Sequence, residues 1–173
     1  MELPLLEIIN ESQSNGLPTL ILSDVLTEAS ERHSEDMGRY GFFAHETIAN
    51  SYSPVDSKSG EPMALSSYNA YMAENLLAGY ETAEDETAEE DFEGWRTSPG
   101  HEAYMLDSYQ CVIGIACIYV PNSYYGWYWT NDFGSEVDPT SYTPGEAHTP
   151  RGKYLRRGRA RDGCRSPRRR PGG

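Results

Sequence analysis

Apolar residues at Leu5, Ile8 and Ile9, spaced as on one helical face and led by Pro4, predict a helix over residues 4–13. Asn15-Gly16 and Pro18 end it. A longer helix starts near Ser23-Asp24, where the serine can cap and the aspartate complements the positive helix end. Its stripe runs through Leu22, Val25, Leu26, Ala29, His33 and Met37, and Gly38 and Gly41 close it. Residues 46–67 mix Ser, Pro, Asp and Gly without a period and read as a long loop with room for a short helix. Thr87 and Glu90 then form a capping box ahead of an Ala88, Phe92, Trp95 stripe. Ser98-Pro99 opens a short helix whose buried part is Ala103, Met105 and Leu106.

The pattern then changes period. Cys111–Val120 is β-branched and reads as a buried strand, and Pro121-Asn122-Ser123 turns it toward a second strand from Trp127 to Phe133-Gly134. Helices followed by a hairpin make the class α+β, with helices packed on a small antiparallel sheet.

From Pro144 the composition shifts. Thirty residues hold nine Arg, six Gly and four Pro, with Tyr154 and Leu155 as the only large apolar groups. Such a segment cannot bury enough surface to order itself, so residues 1–143 are expected to be the folded domain and 144–173 a disordered tail. The tail could grip nucleic acid or an acidic surface, its own domain included.

The 173 residues carry a net charge of −13, which hides a split: residues 151–173 sum to +9 and residues 1–150 to −22. An acidic domain of that kind repels nucleic acid and anionic lipid and suits a salty or calcium-rich medium. A solubilising surface is the plainer reading. Lys58 is the lone lysine of the acidic part, so a high-salt origin is a further expectation. No apolar run is long enough to cross a membrane as a helix, and no leader-like segment opens the chain. Three cysteines make no disulfide framework. Cys111 and Cys117, six apart in one strand, stand about 20 Å apart and beyond bonding reach.

Few residues suggest chemistry. His45 follows Gly41-Phe42-Phe43-Ala44 beyond the second helix. Glu74 and Asn75 interrupt the apolar run Tyr71–Leu77, so the carboxylate should be buried and needs a partner. His101 lies three residues into a helix, whose positive end disfavours the imidazolium. Two neutral imidazoles and a carboxylate make a donor set for zinc with an open position, although their spacing does not by itself bring them together. Ser98 near His101 reads as a nucleophile pair or, more simply, as a helix cap. His33 reads as a satisfied core histidine. The acids of 84–91 lack a calcium-loop pattern and form a solvated helical face, and no phosphate-binding glycine loop occurs. Tyr124, Tyr125, Trp127, Tyr128 and Trp129 could form a ligand face, with half of them turned inward by strand alternation.

Taken in order, several short stretches form a pattern. They are Ile9-Asn10 with Gly16-Leu17-Pro18-x-Leu20, Ala29-x-x-x-His33-x-x-Asp36-Met37, and Gly41-Phe42-Phe43-Ala44-His45. They continue with Ala73-Glu74-Asn75-x-x-x-Gly79, Trp95-x-x-Ser98-Pro99-Gly100-His101, Ile113-Gly114-Ile115 and Tyr128-Trp129-Thr130-x-x-Phe133-Gly134. This series, across about 130 residues, resembles the CAP superfamily, the SCP-like domain of cysteine-rich secretory, antigen 5 and pathogenesis-related proteins, in its compact prokaryotic form.

The resemblance implies an α-β-α sandwich with a small antiparallel sheet between helical layers, and a cleft lined by two histidines and two glutamates. Some family members hold zinc or another divalent ion there. His45, Glu74 and His101 match three of the four positions. The fourth, three residues after a tryptophan like Trp95, is Ser98 here, with Glu90, Glu93 and Glu102 nearby in sequence. A basic position three residues after Asn10 is Gln13, and the eukaryotic disulfides are missing. The chain starts at the first family helix without a secretion signal, which suggests a mature fragment, an incomplete reading frame or leaderless export.

Fold does not choose function. The resemblance leads to an extracellular or cell-surface module that binds a lipid, sterol or peptide, with a divalent metal shaping the cleft. One alternative is a metal-dependent hydrolase, a peptidase, in which zinc on His45 and His101 activates water and Glu74 is ligand or general base. Another is an inert structural or adhesion domain. No nucleic-acid partner is expected for the core domain.

Overall fold

The computed structural model describes residues 2–12, 16–46, 68, 70, 72–79 and 88–145. Its elements are α1 (Glu2–Ser12), β1 (Ile21–Ser23), α2 (Asp24–Tyr40), β2 (Met72–Gly79), α3 (Ala88–Arg96), α4 (Pro99–Met105), β3 (Val112–Tyr119), β4 (Trp127–Gly134) and β5 (Ser141–Tyr142). The loop expected at 46–67 lies, beyond Glu46, outside the described residues, as do Gln13, Thr87 of the capping box and the basic segment after Gly145.

Helix α2 follows its sequence signals closely. The Ser23 hydroxyl accepts the Leu26 amide as N-cap, and Gly41 ends the helix in the left-handed conformation at φ 70°, returning its N–H to Met37. Helix α1 begins at Glu2, two residues before the proline, which sits in the first turn where no donor is missed.

The five strands form one sheet in the order β2-β4-β3-β1-β5. Strands β3 and β4 pair antiparallel as the hairpin reading required, and β2 adds to β4 antiparallel. The pairing of β1 with β3 is parallel, so the sheet is mixed. The class is α+β, as expected. Strand β2 had no period-2 signature, because both its faces are covered: Ala73 and Leu77 pack on one side, Leu76 and Ala78 on the other.

Successive residues of the central strands face different layers. Ile113, Ile115, Trp127, Trp129 and Phe133 pack with Leu5, Leu6 and Ile9 of α1, Phe92 and Trp95 of α3 and Met105 of α4. Val112 meets Leu26 of α2, and Tyr128 meets Met37. Gly114 lets α2 lie against β3: a methyl group there would come within 2.2 Å of the Leu26 backbone. Helical layers thus cover both faces.

Two local expectations fail. Ala103 and Leu106 are exposed, and of the three residues named in that helix Met105 alone is buried. Trp127, Tyr128 and Trp129 are all buried, because β4 is central and covered on both faces.

Candidate functional site

The site gathers around β2, an edge strand whose consecutive residues reach opposite layers. Glu74 lies on the α2 side. It is 6% exposed and faces Asp132 in the antiparallel register. Its Oε1 receives the Nδ1–H of His45 at 2.8 Å. The His45 side chain stays 56% exposed, so a buried carboxylate holds an exposed imidazole. With Nδ1 engaged by Glu74, Nε2 is the ring nitrogen left over.

The loop carrying His45 is tied down from below. His33 of α2 is buried, and its Nε2–H donates to the Ala44 carbonyl at 3.0 Å, with Glu74 Oε2 at 3.9 Å from the same nitrogen. Burial pushes His33 down to about 4, overriding the upward pull of that carbonyl, and nearby His45 adds to the depression. His33 is thus a core histidine, as its place on the stripe suggested, but only half satisfied: Nε2 anchors the site loop while buried Nδ1 meets no hydrogen-bond partner among the described residues.

Behind Glu74 is a polar row that sequence reading missed. Ser30 donates to Asp132 Oδ2 at 2.7 Å, and Ser34 pairs with Thr130 at 2.8 Å. Asp132 is fully buried. Burial, the Glu74 charge and a hydrogen bond to Glu74 raise its carboxyl well above the usual range. That favours the protonated form of Asp132 beside Glu74. The available signal was Ser30 and Ser34 at i and i+4 on the stripe, opposite alternate residues of a strand.

His101 comes from the other layer, in the first turn of α4. Its imidazole is depressed by burial first and by His45 second, so it is neutral, as the helix position suggested, but for a different leading reason. Asn75, the neighbour of Glu74, donates from Nδ2 to the His101 carbonyl at 3.1 Å. His45 and His101 thus come from different layers, close enough for one charge to act on the other.

The remaining candidates are not drawn in by any described contact. Ser98 is the N-cap residue by backbone conformation, yet its hydroxyl makes no capping bond. Glu93 is exposed and held by Arg96, with the shortest contact 2.6 Å. Glu90 is exposed on α3, and Glu102 is half-buried in the first turn of α4. Among the described residues no three His, Cys, Asp or Glu side chains converge as metal ligands. The donor chemistry fits two imidazole nitrogens, with Glu74 engaged in orienting His45. Cys111 is a free thiol, so no bond joins it to Cys117.

Beside His45 the surface is aromatic. Phe43 meets Tyr125 at 5.7 Å between ring centres, and Tyr125 meets Tyr124 at 4.8 Å. Phe43 and Tyr124 are 44% and 72% exposed. Of the five rings named in the hairpin, Trp127, Tyr128 and Trp129 are thus buried, and the exposed Tyr124 lies at the tip, linked through Tyr125 to Phe43 by the His45 loop.

Residues 9–133 match the sequence profile of the cysteine-rich secretory protein (CAP) family. No curated protein matches the chain. Among solved structures, it is similar to an outer surface protein from Borrelia burgdorferi, with a TM-score of 0.58, 15% identity, and 77% of this chain and 90% of that one covered. An extracellular SCP-domain protein from Bacillus anthracis str. Ames gives a TM-score of 0.57 and 18% identity over 77% of this chain and 39% of that one. A cysteine-rich secretory protein from Staphylococcus aureus gives a TM-score of 0.53 and 17% identity over 78% of this chain and 38% of that one.

Proposed function

The chain belongs to the cysteine-rich secretory protein (CAP) family, and from that premise we propose that it is a binding module acting outside the cell or at its surface. Its site is the cleft at β2 formed by His45, Glu74 and His101, and its ligand is a small hydrophobic molecule, lipid or sterol, or a peptide. The observation that carries the reading is the 2.8 Å bond from His45 to Glu74. Burying a carboxylate on an edge strand is costly, and here it fixes one tautomer of an imidazole left open to solvent. The exposed rings of Phe43 and Tyr124 next to that loop supply apolar contact area. The location reading is supported by similar structures described as outer surface, extracellular and secretory proteins.

A divalent cation such as Zn²⁺ would be held by the imidazoles of His45 and His101, with Glu74 orienting the first. Bound there, it would supply a fixed positive charge for a ligand oxygen. The chain itself disfavours the charged form of His101, ties Nδ1 of His45 to Glu74, and offers aromatic contact beside them. The hydrolase reading is less supported, since Glu74 is engaged with His45 and Ser98 is not brought to either histidine by a described contact.

The test is a titration of the full ¹⁵N-labelled chain with three probes: a soluble sterol sulfate, phosphatidylcholine micelles and a pool of unstructured peptides. Cross-peak shifts at Phe43, His45 and Asn75 with any probe support the cleft. Three silent titrations, or shifts confined elsewhere, contradict it. Peptides cleaved with time would instead select the hydrolase.

A further inference from the structure

Cys111 is a free thiol, whereas Cys117 is held in a disulfide. The chain contains three cysteines, so within one chain the partner of Cys117 is Cys164. Cys117 sits on β3 opposite Trp129 and packs, partly buried, against the core layer shared with α1, α3 and α4. A second copy of the chain would have to bring its own recessed Cys117 to that covered face, which disfavours a bond between copies. Tyr142 of β5 packs against the same layer, and the described residues end at Gly145. Strand β5 lies two strand spacings from β3, or about 10 Å. The 19 residues from Gly145 to Cys164 can span up to about 60 Å, so reach is no obstacle.

Charge complements the bond. Helices α1, α3 and α4 carry eight acids against one base, Arg96, which is already paired with Glu93. Helix α2, on the other face, has five acids and two arginines, each arginine paired with a glutamate one turn away. The more one-sidedly acidic layer is therefore the one on which Cys117 lies. Residues 151–173 hold ten Lys and Arg against one acid, and Arg161 and Arg165 lie within three positions of Cys164. We propose that a Cys117–Cys164 disulfide staples the basic segment 146–173 onto the acidic layer of α1, α3 and α4. Closing the bond takes two protons and two electrons from the two thiols, and an external disulfide such as oxidised glutathione accepts them and leaves as two thiols. The bond persists in an oxidising medium and opens in a reducing one, so reduction frees the basic segment. The proposal does not depend on what the β2 cleft binds.

The experiment labels the full chain twice after incubation with oxidised glutathione. Iodoacetamide in denaturant marks the free thiols, reduction follows, and N-ethylmaleimide marks the thiols that were bonded; tandem mass spectrometry then reads each cysteine. The expected result is the first label on Cys111, the second on Cys117 and Cys164, and the mass of a single chain before reduction. The first label on all three cysteines, a covalent dimer, or Cys111 carrying the second label overturns the proposal. A second arm measures the fraction of bonded chain across glutathione buffers, which gives the effective concentration of the two thiols. Screening of the attraction between the basic segment and the acidic layer should lower it by about 5-fold or more between 0.1 and 1 M NaCl. An effective concentration that salt leaves unchanged overturns the docking onto the acidic layer.

Discussion

Glu74 and Asp132 are register partners on β2 and β4, both buried, and burial together with the Glu74 charge raises the Asp132 carboxyl. Two ionised carboxylates at that spacing, away from solvent, would repel strongly. Burial favours the protonated form of Asp132, the deeper group, while Glu74 has His45 to receive. An amide should therefore imitate the native acid. Asp132→Asn keeps an acceptor for Ser30 and a donor for Glu74, so it should cost less than about 1 kcal/mol at pH 8, whereas Asp132→Ala should cost about 2–3 kcal/mol. Urea unfolding of both variants decides the point. A loss well above 2 kcal/mol for the asparagine would mean that Asp132 is ionised.

The same pair makes stability fall as pH rises. A carboxyl raised in the folded state keeps a proton that the unfolded chain gives up above about pH 4. His33 acts in the opposite sense. Its folded value of about 4 lies below the unfolded 6.5, so between these values the unfolded chain binds a proton that the native state excludes. Stability from this group is complete above about pH 6.5 and declines toward pH 4, by about 3 kcal/mol at most. His33→Gln keeps a donor for Ala44 without titrating. The slope of melting temperature against pH between 4 and 6.5 should shift toward positive stability at acid pH in that variant, and an unchanged slope would contradict the assignment.

Gly114 should be intolerant of any side chain. Its missing methyl would lie 2.2 Å from Leu26 carbonyl carbon and 2.3 Å from Thr27 nitrogen, which are backbone atoms and cannot rotate away. Gly114→Ala should cost about 3 kcal/mol by lifting α2 from the sheet. Because α2 carries His33 and Ser30, the variant should also lose ligand binding out of proportion to its helix content. Denaturant melts and circular dichroism together check this.

The −22 charge over residues 1–150 predicts a salt response. Added NaCl screens carboxylate repulsion, so the melting temperature of the full chain should climb between about 0.1 and 2 M. A flat profile would mean that the acidity is only a solubilising surface.

Much of this architecture was legible in the sequence, and the exceptions have physical causes. Helix α2 was plain because Ser23, the stripe through Met37 and Gly41 all marked the same element. Strand β2 was hidden because it is covered on both faces, which erases alternation, and because Glu74 and Asn75 break its apolar run. The two-residue β5 and three-residue β1 are too short to carry a period. His45, Glu74 and His101 were singled out through family resemblance, while the way the structure holds them was not legible. The bonds from His33 to Ala44 and from Asn75 to His101 join residues 11 and 26 positions apart, and pairings at such distances leave no local pattern. Asp132 escaped notice for the same reason: its carboxyl is raised only once the fold buries it and sets Glu74 beside it.

The most direct test of the account is the zinc content of the full chain after dialysis against Zn²⁺, measured by elemental analysis beside the His45→Ala/His101→Ala double variant. One ion per wild-type chain, lost in the double variant, is the predicted result. No bound zinc in the wild type, or zinc retained when both imidazoles are gone, would contradict the cleft as a cation-assisted binding site.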